Sequence, residues 1–326
     1  MKKILTLSLI PFTLLITNCG GSNNNSTPTE DNSNLPLRSD NNITIDNEIP
    51  LNPNIIVKND ITLKLKLVDN IKESSGLIKL DHQLWTHNDS GNDAKLYQID
   101  ENTGDILKIV KINNATNIDW EDISYDETYV YIGDFGNNNG NRTDLKVYKV
   151  LRSDLNTETS ITAEVINFSY SDQNVFDDKN FDCEAMVTYQ DKLYLFSKNW
   201  QNKKTRLYEL ETSEGTHIAN YKYTFEINGL VTGATINKEL NILLLSTYSS
   251  TLNVNIWSFS NYTDSNFFNG DSKKLTLTSP LQAQVEGITF IDKYKAYLSS
   301  ESFSNTTYGI SLDNNLYELD FSKEFE

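Results

Sequence analysis

The sequence predicts an all-β fold: a five-bladed β-propeller of four-stranded blades, its ring closed by an N-terminal strand. Three observations lead there. An aromatic residue flanked by aliphatics recurs five times, each time after a short apolar strand. The head of the strand before that one recurs with a period near fifty residues, the spacing of a propeller blade. The last copy runs out of chain before its fourth strand, while a spare strand stands ahead of the first copy.

Within each repeat the first element is the strand head. The heads are Ser75-Gly76-Leu77, Glu121-Asp122-Ile123, Glu184-Ala185-Met186, Thr232-Gly233-Ala234 and Glu286-Gly287-Ile288, separated by 46, 63, 48 and 54 residues. The apolar second strand is expected around Leu84-Trp85-Thr86, Tyr129 to Ile132, Leu193 to Phe196, Ile242 to Leu245 and Ala296 to Leu298. The third carries the aromatic, in Leu96-Tyr97-Gln98-Ile99, Val147-Tyr148-Lys149-Val150, Leu207-Tyr208-Glu209-Leu210, Ile256-Trp257-Ser258-Phe259 and Leu316-Tyr317-Glu318-Leu319. The fourth is expected at Ile106 to Ile112, Ile161 to Phe168, Tyr221 to Ile227 and Leu275 to Leu277. Leu63 to Leu67 alternates apolar and charged residues, as an outer strand with one wet face does. Pairing it into the last blade hides the edges that an open sheet exposes. With 17 Tyr and 14 Phe among many β-branched residues, strands are favoured. Only 14 Gly and 6 Pro leave most turns to Asn, Asp and Ser.

The segment before the repeats reads as an address. Lys2 and Lys3 precede an apolar run from Ile4 to Ile16, too short to span a bilayer comfortably, which is the anatomy of a secretion signal over residues 1–18. Leu15-Ile16-Thr17-Asn18-Cys19-Gly20 resembles a bacterial lipobox, which makes Cys19 the lipidated residue and places the chain at the cell envelope, anchored to a bacterial membrane. Residues 19–60, rich in Asn, Ser, Thr, Asp and Pro without aromatics, are expected to be a flexible tether. The propeller is expected to fill 61–326.

Charge narrows the partners. A net charge of −17, from 45 acidic against 28 basic residues, repels phosphate backbones and excludes nucleic acid. With Cys19 lipidated, Cys183 has no partner for a disulfide, and reads as a small buried residue. The three histidines, His82, His87 and His217, do not form a zinc pair. Neither a Walker loop nor a Gly-x-Ser-x-Gly elbow is present.

In a propeller the first strand of each blade lines the axial channel, so the five strand heads meet at its mouth. Ser75, Glu121, Glu184, Thr232 and Glu286 are then three carboxylates and two hydroxyls converging on one point. Crowded, dehydrated carboxylates either take up protons or bind a cation. A ring of hard oxygens suits calcium, which accepts irregular shells at about 2.3–2.6 Å. The competing reading is that the same acids cap strand amides at a solvated mouth.

The order Ser, Glu, Glu, Thr, Glu at these positions resembles the axial calcium site of the calcium-activated apyrase family. Glu73-Ser74-Ser75-Gly76-Leu77, Asp119-Trp120-Glu121-Asp122-Ile123 and Val285-Glu286-Gly287-Ile288 are also similar to phytase-like esterase propellers. The resemblance spans roughly residues 61–320 through motifs of a few residues each, with Thr232 standing where a serine is expected. It implies a five-bladed fold, one axial calcium and hydrolysis of a phosphoanhydride or ester.

The loops on the same face mix acids, amides, aromatics and a lysine, with Asp89, Asp134, Lys198, Trp200 and Glu301 as candidate ligand contacts and Tyr248 and Phe303 as further stacking surfaces. This is chemistry for a polar small molecule, a glycan, a peptide or a protein partner. Two enzymatic alternatives stand beside a binding module. One is a calcium-dependent hydrolase of phosphate or other esters using Asp89, Asp134, Lys198 and Arg206. The other is an arabinanase-type glycosidase recruiting two of Glu121, Glu184 and Glu286, about 5–5.5 Å apart for retention or 6.5–9.5 Å for inversion.

Overall fold

A computed structural model describes residues 48–49, 56–59, 61–175, 177–277, 282–306 and 309–325. The fold is all-β and propeller-like, with strand runs that each begin at one of the repeated heads. Ser74–Leu80, Gln83–Asn88, Lys95–Ile99 and Ile106–Ile112 form one antiparallel run. The next is Trp120–Tyr125, Tyr129–Asp134, Lys146–Leu151 and Glu164–Tyr170. Cys183–Tyr189, Lys192–Ser197, Thr205–Glu211 and Gly215–Phe225 follow, then Leu230–Asn237, Ile242–Tyr248, Val254–Ser260 and Asp271–Leu277. In the last run, Gln284–Asp292, Lys295–Glu301 and Asn315–Asp320 are joined antiparallel by Ile61–Lys66.

Turn chemistry explains the tight hairpins. Asp81 and His82, at φ 48° and 64°, form a two-residue link, as do Gln190 and Asp191 at 48° and 60°. Two consecutive left-handed residues match the right-handed twist of the strands they join.

Outer strands are lapped in parallel. Glu164–Tyr170 runs beside Gly215–Phe225, merging two runs into one sheet, and Ser160–Ile161 lies along Ile106–Ile112. Glu48–Ile49 pairs with Gly215–Phe225, and Ile56–Asn59 with Asp271–Leu277. Part of the expected tether is therefore strand. The secretion signal, Cys19 and the rest of 19–60 lie outside the described residues. Gly215–Phe225 also starts earlier than the expected Tyr221, because Gly215 to Ala219 pair in parallel with the neighbouring run while Asn220 to Phe225 pair with their own.

Apolar residues fill the gaps between successive runs. Trp85, Leu96 and Val110 pack on Trp120, Ile123 and Tyr148; Tyr131, Val147 and Phe168 pack on Met186, Leu195 and Tyr208. Further clusters join the third run to the fourth, the fourth to the last and, through Leu77, Tyr97, Tyr297 and Leu316, the last to the first. The inner strands neighbour one another in the same cyclic order.

Those inner strands share no ladder with one another, so side chains connect them. Ser75 Oγ donates to the Glu121 carbonyl at 2.7 Å, and Thr232 Oγ1 to the Val285 carbonyl at 2.5 Å. Asp122 accepts the Met186 amide at 2.7 Å, and Ser124 Oγ accepts the Thr188 amide at 3.0 Å. Thr289 Oγ1 accepts the Lys79 amide at 3.0 Å across the junction of last and first runs. Asp122 is fully buried and also takes the Ile123 amide at 2.8 Å. Asp122→Ala strands two buried N–H donors, a loss expected at about 3 kcal/mol in a urea melt. Asp122→Asn keeps one acceptor oxygen and is expected to lose less.

Candidate cation site and loop face

Each inner strand breaks register at its head. The shifts fall between Ser75 and Leu77, Trp120 and Asp122, Cys183 and Ala185, Val231 and Gly233, and Val285 and Gly287. A bulge leaves its extra residue unpaired and re-aims its side chain. The extra residues are Gly76, Glu121, Glu184, Thr232 and Glu286. In the first strand the bulge thus falls on Gly76, at φ 68°, and Ser75 is paired, one residue out of step with the other four. Sequence spacing alone does not reveal that slip, because it aligns chemistry rather than backbone.

All five expected residues are buried. Ser75 and Thr232 spend their hydroxyl protons on the next strand's carbonyl, which leaves their lone pairs to accept or ligate. The three glutamates enter an acidic neighbourhood larger than the sequence expectation. Asp89, Asp119 and Glu121 each bring one carboxylate oxygen within 4.8 Å of the other two. Asp89 reaches this point from a loop held by its own amide on the Glu73 carbonyl, at 2.8 Å, and by Asn117, whose Nδ2 donates to the carbonyls of Asn88 and Asp89 at 2.9 and 2.8 Å. Gly136 lets the carboxylates close up: a Cβ there meets Glu121 Oε1 at 2.0 Å and Asp119 Cγ at 2.5 Å.

Asp119 and Asp182 are the residues that the sequence reading leaves out. Both stand two places before a bulged glutamate, and Glu73 stands two before Ser75, so an acid in the same register of three repeats is the signal that could have found them. Asp182 is fully buried; it accepts the Asn137 amide at 2.6 Å and the Trp200 indole N–H at 2.7 Å.

Burial first, then mutual repulsion, raises these acids. Glu121 is held well above the carboxylate range, with Glu184, Asp89 and Asp119 adding to the effect of burial. Asp119 is pushed up to about 7 by burial with Asp89 and Asp182 beside it. Burial takes Asp89 to about 6 against the opposing pull of Lys198, and Glu286 to about 8.

The loop-face candidates divide. Lys198 is buried and pairs with Glu184 at 2.9 Å, its ammonium 5.0 Å from the Trp200 ring centre and 5.3 Å from that of Tyr248. Burial draws Lys198 down, but Glu184, Tyr248 and Glu286 more than reverse it. Trp200, Phe303 and Leu312 pack on Tyr248, Leu230 and Leu252 at the rim. Glu301 is half-buried, raised by burial and by Asp89, Glu286 and Glu73. Asp134, expected to face a ligand, is fully enclosed: it accepts from Arg142 at 2.9 Å and from the Asp119 amide at 3.1 Å, and so holds the backbone at Asp119. Arg206 lies over the Phe181 ring, 4.9 Å from its centre, and 3.7 Å from Asp172. Cys183 is enclosed, and burial pushes its thiol far up.

No family model matches the chain, and no curated protein matches it. Among solved structures it is similar to the PQQ-bound aldose sugar dehydrogenase of Streptomyces coelicolor, with 9% identity over 82% of this chain and 99% of that one at a TM-score of 0.46. It is also similar to a GH43_1 enzyme from Xanthomonas citri, at 11% identity, 79% and 89% coverage and a TM-score of 0.45. A protein of unknown function from Dyadobacter fermentans shows 7% identity, 80% and 98% coverage and a TM-score of 0.43. At this level of similarity they assign no function.

An acid whose folded pKa lies above its unfolded value stabilises the fold at low pH and loses that contribution as pH rises through the folded value. With Asp89, Asp119 and Glu286 at about 6, 7 and 8, ion-free protein is expected to lose stability between pH 4 and 8. Urea midpoints in chelator across that range check the sign; a midpoint that climbs steadily to pH 8 contradicts it.

Proposed function

We propose that the chain is an envelope lipoprotein, anchored through Cys19, whose five-bladed propeller uses Ile61–Lys66 as the outer strand of its last blade. Its mouth binds one hard divalent cation of the calcium type, and its loop face takes a polar ligand, whether a glycan, a peptide or a protein partner. The observation that carries the cation is the meeting of Asp89, Asp119 and Glu121 oxygens within 4.8 Å of one another. Three oxygens each within 4.8 Å of the other two lie at most about 2.8 Å from a common centre, just outside the calcium shell of about 2.3–2.6 Å, so a small side-chain rotation brings all three onto a single ion. The donor set is all carboxylate, which suits calcium over zinc.

Binding is favoured over phosphate chemistry because the cations proposed to meet a phosphate are engaged: Lys198 with Glu184, and Arg206 with Asp172. A glycosidase needs carboxylates that a sugar ring can reach, whereas Glu121, Glu184 and Glu286 are only 4%, 2% and 5% exposed. Half-buried Trp200 and Phe303 beside Glu301 give the rim the mixed aromatic and polar character of a surface that stacks and hydrogen-bonds a ligand.

Calcium at a hundredfold excess over its Kd is expected to stabilise the fold by about 2.7 kcal/mol, a rise in melting temperature of roughly 5 °C or more. Asp119→Asn and Glu121→Gln are expected to abolish the rise. Identical melts of the unaltered chain in calcium and in chelator would remove the cation from this reading.

A further inference from the structure

The acidic mouth has two halves with different charge balance. On one side Asp89, Asp119 and Glu121 meet with no lysine or arginine paired to them among the described ion pairs. On the other, Lys198 pairs with Glu184 at 2.9 Å, both side chains nearly inaccessible at 6% and 3% exposure. The ammonium is hemmed in by the Trp200 and Tyr248 rings, whose negative faces hold a cation in place. Glu286 faces the same ammonium electrostatically, and its Oε2 is enclosed without a hydrogen-bond partner. Glu184 and Glu286 both sit at bulges, so their backbones hold them toward this point whether or not a cation is there.

Building on the cation reading proposed above, we infer that Lys198 is a built-in cation that fills a second position in the mouth, and that its presence limits the protein to one divalent ion. Three features support this assignment. Glu184 and Glu286 belong to the same strand-head series as Glu121, so the mouth offers hard oxygens on both halves. The lysine side chain enters from Lys192–Ser197's following residue, outside the strand-head series, and so supplies charge that the repeat itself does not. A buried carboxylate oxygen without a donor is costly unless a cation is close. Removing the ammonium leaves two adjacent buried carboxylates with no counter-charge, the condition that draws in a hard divalent ion.

The test is calorimetric titration of calcium chloride into the full chain. The unaltered protein is expected to bind one ion, Lys198→Ala two, and Lys198→Arg, which keeps the charge, one. Lys198→Ala combined with Glu286→Gln is expected to return to one. One ion in both the unaltered chain and Lys198→Ala overturns the role of Lys198 while leaving the first site intact. No binding by the unaltered chain removes the cation reading and this inference with it. Should Lys198→Ala fold only with calcium, refolding against calcium concentration is expected to show a Hill slope near two; a variant that calcium neither refolds nor loads twice overturns the inference.

Discussion

The inner strands come together around a cycle without sharing a single ladder, and the rest of the molecule is arranged around that constraint. Backbone groups facing a neighbouring strand still need partners, because a buried unpaired amide costs about as much as a lost hydrogen bond. Ser75, Asp122, Ser124, Thr232 and Thr289 supply those partners, each reaching from one run to the next. Polar residues in the middle of otherwise apolar strands are therefore structural, and Asp122 in particular is spent on amides although it stands beside a glutamate that is not. Apolar contacts between successive faces then close the gaps farther out.

The same geometry concentrates charge. Bulges at the strand heads free one residue each from the ladder, and the chain places glutamate at three of those positions. Loops add Asp89, and the residues two before the bulges add Asp119 and Asp182. Burial penalises every one of these charges; repulsion adds to the penalty at Asp119 and Glu121, whereas Lys198 and hydrogen bonds relieve Asp182. Lys198 and Arg142 offset part of it through Glu184 and Asp134. The remaining imbalance, on the Asp89, Asp119 and Glu121 side, is what gives the mouth its proposed chemistry.

Much of the strand plan is legible in the sequence because each repeat carries its own pattern. The aromatic of Leu96-Tyr97-Gln98-Ile99 or Leu316-Tyr317-Glu318-Leu319 marks a buried third strand, and the alternation in Ile61–Lys66 marks an outer one. What the pattern hides is local. A bulge at Gly76 rather than Ser75 depends on one left-handed residue, and spacing along the chain does not distinguish the two. Glu48–Ile49 and Ile56–Asn59 lack aromatics and become strands only because outer edges of other runs receive them. Asp134 and Lys198 look alike as polar loop residues, yet Arg142 encloses the first while Glu184 and two rings enclose the second. Pairings of that kind join residues whose meeting is decided by tertiary packing, not by the repeat.

Crystals grown with calcium and measured at a wavelength where calcium scatters anomalously locate the ion directly. The expected result is one anomalous peak at about 2.3–2.6 Å from carboxylate oxygens of Asp89, Asp119 and Glu121, with the Lys198 ammonium still on Glu184. A featureless mouth at saturating calcium, or a peak held by other residues, contradicts it.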